Sequence, residues 1–492
     1  MQRRTLKNRR RGSKHFPNIM RNLTMLTDLY QLTMMYGYFK KGVHEQGAVY
    51  DVFFRNTAGE SMYAIMAGLD QVIDLINDLH FSEEDISYLR SLKLFDEAFF
   101  DYLRTFRFHG EIYAMPEGTV VFPYEPLVRV RANIIEAQLI ETAMLNIINH
   151  QTLIATKASR VVYAADGDTV MEFGLRRAQG PDAGLYGARA AVIGGCASTS
   201  NVLAGQYFDV KLAGTHAHSW IMSFESELEA FRTYAQVFPD SCLLLVDTYN
   251  TLESGIPNAI KVFDELRAAG HEPVGIRLDS GDLAYLSKQA RKMLDTAGYP
   301  NAIICASSDL DEQIIRELKQ QGAKIDTWGV GTKLITSQNC PALGGVYKLA
   351  AREINGVWEP KIKISENAWK TTNPGYKKVF RIFDNKSGKA LADLIALAEE
   401  EIDESKPLTI FDQMETWKRM TLRDYHVKEL LVPIFIDGKQ VYQSPSVMEI
   451  QQYAKTNLDT FWDEYRRFVR PHVYKVDLSD KLYTLKQKML VK

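Results

Sequence analysis

The chain has 492 residues, 46% of them hydrophobic and 24% charged, the balance of a soluble globular protein and too long for one ordinary core. Its net charge of −2 excludes a general electrostatic attraction to nucleic acid or membrane surfaces, and no apolar run approaches the ~20 residues of a transmembrane helix. Four separated cysteines, Cys196, Cys242, Cys305 and Cys340, form no CxxC pair, which excludes a disulfide framework or zinc cluster and fits a reducing cytosol.

The chain opens on MQRRTLKNRRRGSKHFPNI, basic but without the apolar centre of a signal peptide. We read residues 1–20 as a disordered basic extension, with folded sequence starting near Asn22. A helix is expected near TDLYQLTMMYGYFKKG and a strand near GAVYDVFFRN.

Between about 160 and 335 an apolar run ending in polar or glycine residues recurs. The runs are TVMEFGLRR, FDVKLAGTHAH, CLLLVDTYN, PVGIRLDSGD, AIICASSDL and IDTWGVGTK. Spacings of roughly 30–40 residues fit one strand plus one helix. Amphipathic helices lie between them: SELEAFRTYAQVF, IPNAIKVFDELRAAG and DEQIIRELKQQG. Six such units favour a parallel α/β barrel over a doubly wound sheet, which periodicity alone does not exclude; in a barrel the chemistry sits where the strands end. Those ends carry Arg176, His216, His218, Asp247, Arg277, Asp279, Asp282, Ser307, Ser308, Gly331, Thr332 and Lys333. Further on, GVYKLAARE, KKVFRIFD and VKELLVPIFIDG read as strands, and VMEIQQYAKTNLDTFWDEYRRFV as a helix.

In THAHS, alternation along a strand would point His216 and His218 the same way, as in barrel metallohydrolases. None of the other eight of the ten histidines falls at such a strand end, so that reading lacks ligands. Two alternatives stay open: a histidine at the start of a helix in SWIMSFESELEAF, where phosphate is favoured, and one that bonds a loop. IRLDSGD carries more. Arg277 and Asp279 alternate onto one face, so a phosphate or carboxylate clamp stands beside an anion suited to sugar hydroxyls or Mg²⁺. WGVGTK offers Gly329, Gly331 and Thr332 as a phosphate cradle. Phe173 in EFGLRRAQG stacks on a planar ring or fills the core. The residues alone therefore support an α/β barrel enzyme acting on a phosphorylated sugar. A catalytically inactive barrel is disfavoured by so many polar strand ends.

LTDLYQLTM, EFGLRRAQ, GTHAHSW, IRLDSGD, SSDLDE and WGVGTKL, taken in this order, resemble the nicotinate phosphoribosyltransferase family. The likeness continues through KISENAWKTTNPGYKKVFRIFD and GKALADLI to FWDEYRRFVRPHVYKVDLSDKL, over about residues 22–486. It implies an irregular TIM-like α/β barrel with an α/β sandwich domain and a C-terminal extension. The expected division is a sandwich over 21–155, a barrel over 156–345, a return segment over 346–404 and a C-terminal region over 405–492.

The resemblance further implies synthesis of nicotinate mononucleotide and pyrophosphate from nicotinate and phosphoribosyl pyrophosphate. ATP is a co-substrate and Mg²⁺ a cofactor, in a cytoplasmic homodimer with shared active sites. By the same likeness His218 is the phosphorylated histidine, and His216 has no assigned role. Thr215 lines the nicotinate site. Tyr30, with Asp28 nearby, stacks on the pyridine ring from the partner subunit, and Phe173 stacks on its other face. Arg277 meets the nicotinate carboxylate, while Arg176 and Arg55 reach the ring or phosphates. Asp279 is the ribose or Mg²⁺ aspartate, and Asp247 is a further substrate-binding group. Gly331 and Thr332 resemble the 5′-phosphate cradle, and Lys348 and Lys363 reach the pyrophosphate. Ser200 falls where the related nicotinamide enzyme has an aspartate, which favours the acid over the amide.

Overall fold

The computed structural model describes residues 22–56, 61–367 and 370–491. The basic extension expected over 1–20 lies outside them. Two large apolar cores are joined by a helix, Glu141–Ala165, of 25 residues. Its early residues Met144, Ile147 and Ile148 pack into one core, and its later residues Ile154, Ala155, Ala158 and Val161 into the other. At 1.5 Å per residue it runs about 37 Å. Lys157 and Arg160 on this helix reach buried Glu312, at 2.6 and 3.5 Å, so the joint is ionic as well as apolar.

The first core lies under a seven-stranded sheet. Its order is Val357–Pro360, Gly345–Ile354, Gly47–Phe54, Val128–Asn133, Glu111–Ala114, Val432–Ile436 and Lys439–Gln440, all neighbours antiparallel. The strand Gly345–Ile354 pairs with Gly47–Phe54 in a register that sets Lys348 opposite Asp51. Chain segments some three hundred residues apart in sequence thus share one wall. A separate four-stranded sheet holds Tyr425–Glu429, Lys377–Asp384, Ala390–Leu397 and Val476–Leu478.

The second core surrounds a six-stranded parallel sheet in the order Ser198–Thr199, Thr169–Glu172, Thr327–Val330, Ile303–Ser308, Gly275–Leu278 and Leu243–Leu245. Runs such as CLLLV are buried along their whole length, which explains why they read as apolar rather than alternating. Because the strands are parallel, Phe173, Ser200, Asp247, Asp279 and Gly331 all emerge beyond one end of the sheet.

Three expectations change. FDVKLAGTHAH forms no strand: it contributes one bridge, Thr199 to Leu212, and the sixth strand is Ser198–Thr199. Leu212 is exposed, so the run lacks the buried alternation a strand needs. SWIMSFESELEAF splits into His218–Met222 and Glu227–Val237, because Ser226 caps the second helix by accepting the N–H of Glu229. The long helix expected from Val447 stops at Asp459, and a short second helix covers Asp463–Arg466. Phe461 turns into the core between them.

Candidate active site

The end of the parallel sheet gathers Arg277, Asp279, Ser307, Asp247, Thr215 and His218. Arg277 and Asp279 flank Leu278 at the close of Gly275–Leu278, so their side chains leave the strand on one face. Arg277 Nη2 donates to Asp279 Oδ1 at 3.1 Å, and its Nε donates to Ser307 Oγ at 2.8 Å. Its Nη1 donates to Thr215 Oγ1 at 3.4 Å and to the His216 carbonyl at 3.3 Å. The guanidinium is therefore fixed in direction before any ligand arrives.

Ser307 also donates to Asp279 Oδ1. Burial works against charge on Asp279, but the Ser307 hydroxyl and the Arg277 guanidinium outweigh it and hold the carboxyl below the usual carboxylate range. Asp247 Oδ2 accepts from the Asp279 N–H and from Ser280 Oγ, each at 2.7 Å. Its second oxygen is buried and has no hydrogen-bond partner among the described residues.

His218 starts its helix. Its Nδ1 lies 3.1 Å from Thr248 Oγ1, and its Nε2 lies 3.7 Å from Asp279 Oδ2. His216 does not share this orientation. Ala217 turns the chain into the helix, so the strand alternation that would align the two rings is absent. No group of three or more His, Cys, Asp or Glu among the described residues is arranged to hold a metal ion. The two rings meet different partners, His216 the Leu245 N–H and His218 Thr248, so they do not form the paired HxH arrangement of a metallohydrolase. Mg²⁺ nevertheless fits the carboxylate pair here: it asks for one or two carboxylates, with substrate phosphates and water completing the shell. Asp279 and Asp247 are the carboxylates that would hold it.

Phe173 follows the strand Thr169–Glu172, and its ring centroid is 6.0 Å from the Arg277 guanidinium. A Cβ at Gly329 would stand 2.6 Å from the Phe173 ring, so glycine there is what lets the ring lie across the neighbouring strand. Gly331 precedes the short helix Thr332–Ile335 and packs against the Phe173 carbonyl. Ser200 donates its N–H to the Glu172 carbonyl at 3.0 Å. Arg176 is exposed in the turn Leu175–Arg177.

The remaining expected residues lie elsewhere. Arg55, Lys348 and Lys363 form a basic group at the seven-stranded sheet. Burial pushes the Lys348 ammonium below the usual lysine range; Glu141 opposes this, while Lys363 and Arg55 add to it. Arg55 Nε is buried without a partner among the described residues. Asp28 accepts from Thr142 at 2.9 Å, and Tyr30, 49% exposed, stands beside it on Leu29–Lys41. Lys333 is held by Asp311 at 2.9 Å, and Asp282 caps Leu283–Thr296 by accepting the Tyr285 N–H.

The sequence reading passed over Thr248 and Glu172. Thr248 had a signal, since it follows Asp247 at a strand end. Buried Glu172 accepts from Thr199 Oγ1 at 2.6 Å and from the Gly174 N–H, and so shapes the turn that carries Phe173.

Three family models cover most of the chain. The nicotinate phosphoribosyltransferase (NAPRTase) N-terminal domain matches residues 25–149, the family itself 169–399, and the C-terminal domain 376–486. A nicotinate phosphoribosyltransferase of Bacillus subtilis is 47% identical, covering 95% of each chain. One from Caenorhabditis elegans is 36% identical, over 93% of this chain and 92% of its own. The crystal structure of human nicotinic acid phosphoribosyltransferase superposes with a TM-score of 0.84 at 31% identity, over 94% of this chain and 99% of that one. The chain belongs to the nicotinate phosphoribosyltransferase family.

Proposed function

We propose that this enzyme joins nicotinate to 5-phosphoribosyl 1-pyrophosphate, giving nicotinate mononucleotide and pyrophosphate for NAD salvage. ATP hydrolysis to ADP and phosphate is coupled to it. The observation that carries the reading is Arg277, fixed by four hydrogen bonds beside Phe173 and ionised Asp279.

The pyridine nitrogen is already a nucleophile, so no strong base is required. Its lone pair forms the bond to the anomeric carbon as the carbon–oxygen bond to pyrophosphate breaks, and those electrons leave on pyrophosphate. The protein's work is to orient the ring and to neutralise the departing charge. In this reading Arg277 and Thr215 take the nicotinate carboxylate, and Phe173 stacks on the ring. Asp279 and Asp247 would hold ribose hydroxyls and Mg²⁺, and the ion would supply charge neutralisation for the pyrophosphate. Gly331 and Thr332 seat the 5′-phosphate, and Arg55, Lys348, Lys363 and Arg176 meet the phosphate groups. The Lys363 and Arg55 charges that bear on Lys348 support this, because a bound anion would be attracted to all three.

His218 accepts the γ-phosphoryl group of ATP and later releases it to water. Its place 3.7 Å from Asp279 supports coupling that event to the sugar-phosphate site. Serine rather than aspartate at 200 supports the acid over the amide, since a carboxylate there would repel nicotinate. Tyr30 and Asp28 complete the site of a second copy in a homodimer, and exposed Leu29 and Tyr30 on one helix end support that contact. In this reading residues 211–216 complete an irregular barrel around the parallel sheet, beside a sandwich domain whose seven-stranded sheet also takes in Val432–Ile436 and Lys439–Gln440 from the C-terminal region. A cytoplasmic location fits the four free cysteines.

The test is product formation from nicotinate, phosphoribosyl pyrophosphate and Mg²⁺, with and without ATP. Nicotinate mononucleotide that ATP increases is the expected result; no product under either condition overturns the reading.

A further inference from the structure

His216 lies in the gap between the two edge strands of the parallel sheet. On one side the backbone of its segment bonds to Thr199: the Thr199 N–H donates to the Lys211 carbonyl and the Ala213 N–H to the Thr199 carbonyl, each at 3.0 Å. On the other side the link is a side chain. Leu245, the last residue of its strand, donates its N–H to His216 Nε2 at 3.3 Å. An imidazole stands where a neighbouring strand would offer a carbonyl.

The ring is 9% exposed and packs edge-to-face on Tyr234, with centroids 4.7 Å apart. Burial pushes the imidazole down to about 4, so it is neutral and has one acceptor nitrogen, the one that Leu245 uses. The same residue's carbonyl accepts from Arg277 Nη1, as does the hydroxyl of the preceding Thr215. His218 follows two residues later.

We propose that His216 is a positioning residue: by accepting the Leu245 N–H its imidazole latches residues 211–218 across the gap in the sheet, and so fixes the carbonyl and hydroxyl that aim Arg277. What Arg277 then binds rests on the function proposed above; the latch itself does not.

The test compares the full-length wild type with His216→Leu and His216→Gln. Leucine removes the acceptor, whereas glutamine returns an oxygen at a similar reach. One readout is amide exchange in a peptide containing Leu245, which needs no substrate. The other is steady-state kinetics with nicotinate and phosphoribosyl pyrophosphate.

In H216L the Leu245 peptide exchanges faster, and KM for nicotinate rises about tenfold or more while kcat and KM for phosphoribosyl pyrophosphate move less than about threefold. H216Q restores both readouts. Unchanged exchange in H216L overturns the latch. Faster exchange with unchanged nicotinate KM overturns its link to Arg277, and H216Q as impaired as H216L overturns the acceptor role. If the wild type does not turn over nicotinate, the functional reading fails instead, and exchange alone decides the latch. Should H216L fail to fold, H216M gives the same comparison.

Discussion

The two charged regions of this protein are built on opposite plans. Around Arg277 the cation is fully partnered within the chain: Asp279, Ser307, Thr215 and a main-chain carbonyl share one guanidinium. Around Lys348 burial lowers the proton affinity first, Glu141 opposes it, and Lys363 and Arg55 add like charge, with Arg55 Nε left without a partner among the described residues. The first arrangement fixes a direction and suits one small planar acid. The second gathers Lys348, Lys363 and Arg55 near Glu141 and suits a polyanion that brings its own oxygens. In the proposed function, orientation and charge neutralisation are divided between two regions that belong to different sheets.

Breaking the oriented region should have the largest effect. Arg277→Ala is expected to lower kcat/KM for nicotinate by on the order of a thousandfold. R277K, which keeps charge without the fork, should recover little of it. Steady-state kinetics checks both, and full activity in R277K would mean that charge alone matters there.

Breaking the basic region should act on the other substrate. Lys348→Met is expected to raise KM for phosphoribosyl pyrophosphate about 10- to 100-fold, the value of one charge-assisted hydrogen bond, with little change for nicotinate. The pH dependence sharpens this. Because the Lys348 ammonium sits below the usual lysine range, it loses its proton as pH rises through that lowered value. Affinity for phosphoribosyl pyrophosphate should therefore fall at a lower alkaline pH in the wild type than in K348R. Coincident profiles would contradict the account.

A stability effect separates wall from site. His216 titrates near 4 when folded and near its ordinary value of about 6.5 when unfolded. The unfolded chain then binds more protons between these values, so stability from this group is complete above pH 6.5 and is lost as pH falls toward 4. Between pH 7 and pH 5 the wild type should lose about 2 kcal/mol relative to H216Q, read from denaturant midpoints at both pH values. Parallel losses would show that the ring is not buried and neutral.

The mildest variant is His218→Ala, which should remove stimulation by ATP while leaving some ATP-independent synthesis. Unchanged stimulation would contradict the phosphohistidine role.

The strand ends were legible because apolar runs such as CLLLVD and VGIRLD stop abruptly in charge, and the Arg277–Asp279 pairing follows from strand alternation. The basic group was legible only as a resemblance, since Lys348 meets its wall through a register set with Asp51 nearly three hundred residues away. His216 was not legible: its partner is a backbone N–H, which leaves no trace in side-chain identity, and its segment forms a single bridge instead of the expected strand. Thr248 was passed over because a threonine after an aspartate has many ordinary uses.

The most direct test of the central claim is the ratio of kcat/KM for nicotinate to that for nicotinamide in the wild-type enzyme. The Arg277 clamp and Ser200 predict a preference for the acid of at least about a hundredfold. Equal use of the two bases, or preference for the amide, would contradict the assignment of Arg277 to the nicotinate carboxylate.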